Sequence, residues 1–308
     1  MSDSVRSFLA IDDLSRQELL DLIEYSIRLK EQTSAGVCPQ FFSGKMAGLI
    51  FHKPSLRTRI SFETGVMQLG GGSIFITDQE IQLGVRESIA DAAKVLSRYL
   101  DVIVIRTYHQ SDIEELAREA DIPIINALTD KLHPCQIFCD LLTIREKFGR
   151  IEGLKLSYFG DGNNMARSWI NAAKLLDIDL WIATSADTHP GKKFVEDALE
   201  TARGRITITD NPAEAADKAD ILYTDVWASM GEKSEAAARA DSLKALQINE
   251  KLLQNANPNS IVMHCLPAER GKEITDAVMD GAKSVVFDQA ENRLHGQKTI
   301  LLWTLGEI

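Results

Sequence analysis

The sequence predicts an α/β fold made of two doubly wound parallel-sheet domains that are joined by helices. Short apolar runs rich in Ile and Val alternate with helical segments along the 308 residues, as expected for buried parallel strands. The alternation restarts after a long helical stretch at 133–149, and a chain of this length suits two domains. We therefore place the first domain at 1–148, with a C-terminal helix at about 291–308 packing back on it, and the second at 149–290.

The predicted strands of the first half are apolar runs that are separated by helical patterns and turn residues. They lie at 45–52, 73–77, 101–107 and 122–128. Three of the predicted helices begin with a Ser that is followed three residues later by an acid, which is the pattern of an N-cap. These serines are Ser15, Ser88 and Ser111. The helix after the first strand is expected to begin near 57–58.

The second half repeats the same rhythm of apolar runs and helical patterns. Its predicted strands lie at 154–161, 179–185, 205–210, 220–227 and 260–267. In doubly wound sheets, ligands bind beyond the carboxyl ends of the strands. The residues that directly follow each strand are therefore the candidates for a functional site.

Composition excludes several classes of function. A net charge of -11 argues against nucleic acid as the main partner. No apolar run has the length of a membrane span, and the N-terminal residues do not resemble a secretory signal, so we expect a cytoplasmic protein. The four cysteines include no CxxC pair, and we expect them to be reduced. Because the net charge is negative, any anion site must be a local region of positive charge.

The strongest anion-binding candidate follows the first strand, in the segment "KPSLRTR". Ser55 and Thr58 offer hydroxyl groups, and Arg57 offers a planar guanidinium that can bind an oxyanion through two hydrogen bonds. The free N–H groups and the positive dipole end of a helix N-terminus also suit phosphate. The alternative is a solvated basic helix start, but the agreement of these features favours an anion site.

Other strand ends of the first half carry polar groups as well. Arg106 ends a buried strand, where an ion pair is an equally good explanation. His133 precedes Pro134, which fits the first turn of a helix, and Gln136 follows; a structural histidine is the simpler alternative. Arg293, late in the chain, offers one more guanidinium.

The strand ends of the second half suit an amino acid. The segment "GDGNNMARS" is not GxGxxG, so a dinucleotide is only weakly supported. Asn163 and Asn164 can bind a zwitterion or cap a helix. Asp225 can meet a cationic group, and Cys265 brings a thiol to a strand end. One half therefore fits a phosphate-bearing ligand, and the other fits an amino acid.

Five segments in order, "SLRTR", "HPCQ", "DVWASMG", "HCLP" and "ENRLH", resemble the aspartate/ornithine transcarbamylase family. The third and fourth are more similar to its ornithine-specific members than to its aspartate-specific ones. The resemblance implies transfer of the carbamoyl group of carbamoyl phosphate to the side-chain amine of L-ornithine, giving L-citrulline and phosphate in arginine biosynthesis. It also implies no metal or organic cofactor, and a homotrimer or a multiple of trimers. The composition described above indicates no nucleic-acid or membrane partner.

The resemblance further implies roles for individual residues. Carbamoyl phosphate is expected to contact Ser55, Leu56, Arg57, Thr58, Gln82 (from a neighbouring subunit), Arg106, His133, Pro134, Cys135, Gln136, Cys265, Leu266 and Arg293. Ornithine is expected to contact Asn164, Asp225, Ser229 and Met230. Arg106 and His133 would stabilise negative charge on the carbonyl oxygen. Asp225 and Cys265 would orient the amine and help to take its proton.

One departure and three alternatives accompany this resemblance. The family usually has Thr where this chain has Leu56, so we expect weaker binding of carbamoyl phosphate. The acceptor could instead be an N-acylated ornithine or putrescine. His133, Cys135 and Cys139 could join His264 or Cys265 around zinc, although their spacing matches no common zinc pattern. The third alternative is a non-catalytic protein that binds anions.

Overall fold

The computed structural model describes residues 5–81, 83–227 and 241–308. It divides into two compact units. The first comprises Met1–Glu146 and Glu291–Ile308, and the second comprises Lys147–Ala290. Each unit is built around one parallel sheet, which confirms the predicted fold class.

The sheet of the first unit has the order β2-β1-β3-β4. Its strands are β1 (Met46–Phe51), β2 (Gly72–Thr77), β3 (Val102–Arg106) and β4 (Ile124–Leu128). All neighbouring strands are parallel. The interior of β3 is fully buried from Val102 to Ile105, which explains why this strand appears in the sequence as a continuous apolar run rather than an alternating one. The edge strand β2 has an apolar sequence as well, but none of its residues is fully buried.

The helices of the first unit follow the strands. They are α1 (Arg16–Ser34), α2 (Leu56–Gln68), α3 (Asp78–Ile81), α4 (Ile89–Leu96), α5 (Gln110–Glu119) and α6 (Pro134–Phe148). The chain order reverses between β1 and β3, with β2 on one side and β4 on the other. Ligands of open α/β sheets bind at such a switch point, and α2 begins just beyond it.

The predicted helix starts were partly right. Ser15 forms a capping box with Glu18, and the Ser88 hydroxyl accepts from the Asp91 amide. The prediction for Ser111 was wrong, because extended His109 is the N-cap residue of α5 and Ser111 lies within its first turn. Helix α2 begins at Leu56, slightly earlier than predicted, because Ser55 is extended and takes the N-cap position.

The sheet of the second unit has the order β7-β6-β5-β8-β9, with all neighbouring strands parallel. Its strands are β5 (Lys155–Phe159), β6 (Asp179–Ala183), β7 (Arg205–Thr209), β8 (Ile221–Thr224) and β9 (Ile261–His264). Its helices are α7 (Asn164–Leu175), α8 (Lys192–Leu199), α9 (Pro212–Ala216), α10 (Glu250–Leu253) and α11 (Asp276–Met279). The switch point lies between β5 and β8.

The last helix, α12, spans Val286–Thr304. The sequence predicted it from 291, which was too late: the helix begins at the buried Val286, and the polar residues that follow had obscured this start. Across the described ranges, the helices are too short or too polar to cross a membrane.

Candidate functional site

The switch point of the first unit is marked by the N-terminus of α2. Ser55 is the N-cap residue, and its side chain makes no cap hydrogen bond to the α2 amides described here. Thr58, in the first turn, is 2% exposed. The helix begins with Leu56, Arg57 and Thr58, so no acid competes for its positive end. Because the unpaired amides of a helix N-terminus attract anions, this end suits a phosphate.

Arg293, on α12, is a buried guanidinium that is held next to this helix start. It is 3% exposed. Its Nη2 donates to Thr58 Oγ1 at 3.1 Å, and its Nη1 donates to Gln136 Oε1. Gln136 in turn donates from Nε2 to Asp140 Oδ1 at 2.9 Å. These contacts join α2, α6 and α12 around one positive charge.

Gln297 lies one helical turn after Arg293 and completes its hydrogen bonding. With its amide oriented to satisfy the surrounding groups, Oε1 accepts from Arg293 Nε at 3.1 Å and Nη2 at 2.8 Å, while Nε2 donates to Ser61 Oγ. Ser61 donates to the carbonyl of Arg57 at 2.5 Å. Within the described part of the chain, Arg293 is therefore held by neutral oxygens, and no carboxylate forms an ion pair with it. Such a buried charge is costly unless an anion joins it.

His133 lies directly before α6, close to two guanidinium groups. Burial lowers the pKa of His133 well below its ordinary value, and the positive charges of Arg293 and Arg106 lower it further. The imidazole is therefore neutral at physiological pH. Arg106 is the last residue of β3, opposite Phe51 of β1. The structure thus gathers Arg106, His133, Gln136 and Arg293 near the start of α2.

The two cysteines of α6 are core residues. Cys135 and Cys139 are both fully buried. The thiol of Cys135 donates to the carbonyl of Asn126 at 3.3 Å, and burial raises its pKa to about 12. Burial also raises the pKa of Cys139. Both thiols therefore remain protonated, which makes them poor nucleophiles. In the described ranges, no group of three or more His, Cys, Asp and Glu residues is arranged to hold a metal ion, so the zinc alternative finds no support there.

The switch point of the second unit is occupied by Asp225, which follows β8 and is 8% exposed. Its carboxylate receives three donors. Oδ1 accepts from the Val226 amide at 2.8 Å and from the Cys265 thiol at 2.9 Å, and Oδ2 accepts from Asn163 Nδ2 at 3.1 Å. These bonds fix the direction of the carboxylate at the carboxyl edge of the sheet.

Asn163 is the N-cap residue of α7. Its Oδ1 accepts from the amides of Met165 at 2.8 Å and Ala166 at 3.4 Å, as an N-cap side chain does. The turn that delivers it needs Gly162, because a Cβ there would lie 2.3 Å from the carbonyl oxygen of Thr188. Asn164, the predicted ornithine contact, is the first residue of the helix.

The loop after β9 presents Cys265 and Leu266 beside Asp225. Leu266 has a left-handed backbone, with φ of 58°, and its peptide bond to Pro267 is cis. The fully buried His264 supports this turn, since its Nδ1 accepts from the Leu266 amide at 2.9 Å and its Nε2 lies 3.0 Å from Glu273 Oε1. Cys265 is only partly buried, so its thiol, which donates to the Asp225 carboxylate, remains accessible.

The predicted site residues are distributed over both switch points. Gln82, Ser229 and Met230 lie outside the described residues. Sequence reasoning missed the partners of the predicted residues, namely Asp140 and Gln297. Each lies four positions after a predicted residue on the same helix, and this spacing is a signal that could have identified them.

Comparison with known families agrees with this arrangement of two units. The family model described as the carbamoyl-P binding domain of aspartate/ornithine carbamoyltransferase matches residues 6–146. The model described as the Asp/Orn binding domain matches residues 152–304. The chain therefore belongs to the aspartate/ornithine carbamoyltransferase family.

Individual relatives are similar over nearly the whole length. The ornithine carbamoyltransferase of Syntrophus aciditrophicus is 49% identical over 296 residues, which cover 96% of this chain and 98% of the relative. That of Methanoculleus marisnigri is 46% identical over 297 residues, covering 96% of both chains. The solved structure of the Pyrococcus furiosus ornithine carbamoyltransferase superposes with a TM-score of 0.94 at 42% identity, covering 100% of this chain and 99% of that chain.

Proposed function

We propose that this protein is a carbamoyltransferase that moves the carbamoyl group of carbamoyl phosphate to the side-chain amine of L-ornithine, giving L-citrulline and phosphate. The observation that carries the proposal is the buried Arg293 guanidinium, which has only neutral oxygen partners within the described ranges and lies next to Thr58 at the start of α2. An anion is the missing partner of that charge. The relatives named above, all ornithine carbamoyltransferases, support ornithine as the acceptor.

The first unit holds carbamoyl phosphate in this proposal. The α2 amides with Ser55, Arg57 and Thr58 bind the phosphate, and Arg293 adds a second guanidinium. Arg106 and the neutral His133 bind the carbonyl oxygen, with His133 donating one N–H. Gln136 lies on the carbamoyl nitrogen. Contacts from Leu56, Pro134, Cys135, Cys265 and Leu266 remain predictions, as does that of Gln82 from a neighbouring subunit.

The second unit holds ornithine and prepares its amine. Asn164, Ser229 and Met230 bind the amino-acid end. The side-chain amine has to be neutral to attack, and since its pKa in water is about 10, deprotonation at pH 7 costs roughly 4 kcal/mol. A desolvated site lowers this cost by disfavouring the ammonium form. Asp225, whose carboxylate accepts a hydrogen bond from the Cys265 thiol at 2.9 Å, accepts the proton of the amine, and Cys265 helps to orient the amine.

The chemistry follows from these positions. The amine attacks the carbamoyl carbon, and the negative charge that develops on oxygen is stabilised by Arg106 and His133, as in an oxyanion hole. The carbon–oxygen bond to phosphate then breaks, and Arg57, Arg293 and the α2 amides stabilise the departing phosphate. Holding the two substrates in place supplies much of the remaining acceleration. The residues in these roles need no metal or organic cofactor.

The setting proposed for this activity is arginine biosynthesis in the cytoplasm, in a homotrimer or a multiple of trimers. A second acceptor, N-acylated ornithine or putrescine, is not favoured, because the relatives described above are ornithine carbamoyltransferases. Light scattering of the purified protein tests the assembly: a mass of three chains, or a multiple of three, is expected, and a stable monomer or dimer would contradict it.

A colorimetric assay for ureido products tests the proposed reaction. Purified protein is incubated with carbamoyl phosphate and, separately, with L-ornithine, N-acetyl-L-ornithine, putrescine or L-aspartate. We expect citrulline from L-ornithine at a kcat/KM at least about 100-fold above that of the other amines, because each of those lacks either the free amino-acid end that is proposed to meet Asn164, Ser229 and Met230 or the side-chain amine that is proposed to meet Asp225. Product from another amine at equal efficiency, or no product at all, would refute the proposal.

A further inference from the structure

We propose that Asn163 is a positioning residue that fixes the Asp225 carboxylate in its amine-binding direction, an inference that rests on the proposed role of Asp225. Asp225 Oδ1 is already used by the Val226 amide and the Cys265 thiol. Asn163 Nδ2 is the donor to Oδ2, at 3.1 Å. Rotation of the carboxylate is therefore blocked at both oxygens, and Asn163 supplies the contact at the second one.

The orientation of the Asn163 amide is itself determined by its surroundings. Its Oδ1 receives two backbone amides at the start of α7 and the hydroxyl of Tyr158 at 3.3 Å. Burial raises the pKa of Tyr158 well above its ordinary value, and nearby negative charge raises it further, so the phenol keeps its proton as a donor. With three donors at Oδ1, the NH₂ group has to face Asp225.

Helix capping alone does not require this residue type. Ser, Thr and Asp cap helices about as well as Asn, because a cap needs only an acceptor oxygen. Position 163 needs an acceptor for the helix and a donor for Asp225, and among capping side chains Asn is the one that provides both in a fixed amide. The side-chain NH₂ group of Asn163 is therefore the group that positions the Asp225 carboxylate.

The chain contains a matched control for this inference. Asn211 caps α9 through the same type of contacts, with its Oδ1 accepting from Ala213 N at 3.1 Å and Glu214 N at 3.3 Å. It follows β7 at the edge of the sheet and has no assigned role in the reaction. The substitutions N163D and N211D both keep a capping oxygen. Only N163D replaces the donor to Asp225 by an acceptor that carries a like charge.

The experiment compares the two variants in steady-state kinetics and in thermal unfolding. For N163D we expect KM for ornithine to rise, or kcat to fall, by at least about tenfold, with KM for carbamoyl phosphate within about twofold of the parent. For N211D we expect both constants to stay within about twofold. Equal kinetics for N163D and N211D would overturn the inference.

A double exchange tests the contact without relying on turnover. N163D should lower Tm by a few degrees more than N211D, since two carboxylates then face each other. The double variant N163D/D225N restores a donor and an acceptor with reversed polarity, so we expect it to recover most of that loss in Tm while remaining inactive. Failure to recover Tm would overturn this inference and leave the proposed function standing. Absence of citrulline formation by the parent would instead overturn the proposed function.

Discussion

The charge on Arg293 can be neutralised by one nearly isosteric substitution, Gln297→Glu. Gln297 Oε1 accepts from Arg293 at 2.8 Å and 3.1 Å, through Nη2 and Nε. A carboxylate at this position would form a two-pronged ion pair with the same nitrogens. The Arg293 guanidinium would then be permanently paired with a carboxylate of the protein. Its attraction for a substrate anion would therefore be largely cancelled.

The size of the effect follows from the geometry of Arg293. A phosphate oxygen that binds the far side of the guanidinium lies roughly 8 Å from the new carboxylate, which is one guanidinium width plus two hydrogen-bond lengths. Two unit charges at that separation repel by about 2.1 kcal/mol at an effective dielectric constant of about 20. We therefore expect KM for carbamoyl phosphate to rise by at least about 30-fold.

Initial rates of citrulline formation measure this effect. Carbamoyl phosphate is varied at saturating ornithine, and then the reverse, for the parent, Gln297→Glu and the control Gln254→Glu. Gln254 is exposed on the second unit, so the control adds the same charge without touching Arg293. We expect KM for ornithine to change by less than about threefold in both variants. A KM for carbamoyl phosphate within about twofold of the parent in Gln297→Glu would show that the Arg293 charge does not bind that substrate.

Three further outcomes are expected. Leu56→Thr restores one hydroxyl at the start of α2, where Leu56 is 68% exposed, and should lower KM for carbamoyl phosphate about fivefold; an unchanged KM would show that this hydroxyl makes no contact. Burial and two neighbouring lysines lower the pKa of His295 to about 3, so below pH 6.5 the unfolded state takes up a proton that the folded state does not. Stability should therefore fall as the pH drops from 6.5 towards 3. The variant His295→Asn should lose less Tm than the parent between pH 7 and pH 5. An equal loss of Tm in the variant would show that other groups cause the pH dependence. Iodoacetamide, followed by mass spectrometry, should modify the partly exposed Cys265 and Cys38 in the folded protein but not the buried Cys135, whereas equal labelling of all three would contradict the burial described for them.

The strands and the two sheets were predictable because fully buried parallel strands leave a strong trace in the sequence. The runs at 101–107 and 122–128 became β3 and β4 with their ends trimmed by one or two residues. Helix starts were less predictable. Ser111 has the same Ser-to-acid spacing as Ser88, but a cap also requires an extended backbone, and His109 adopts it instead. Spacing alone cannot distinguish the two serines.

The candidate site was predictable where a polar residue directly follows a strand, as with Arg106 and Asp225. Its supporting residues were not predictable in the same way, because they are defined by tertiary contacts. Asn163 and Asn164 are chemically identical in the sequence, and only the fold distinguishes the cap that contacts Asp225 from the residue that begins α7. Gln297 could be proposed from its helical spacing to Arg293, but the sequence does not show which of its neighbours it binds. The roles of Gln82, Ser229 and Met230 stay predictions.

The central claim is that Arg293 and the other positive groups near the start of α2 bind the phosphate dianion of carbamoyl phosphate, while the carboxylate of Asp225 binds the side-chain amine of ornithine. Isothermal titration with a bisubstrate phosphonate, in which a phosphonoacetyl group is joined to the side-chain nitrogen of ornithine, measures both at once. We expect tight binding by the parent, a Kd at least about 100-fold higher for Arg293→Met, and a smaller but clear increase for Asp225→Asn. A Kd for Arg293→Met equal to that of the parent would contradict the account.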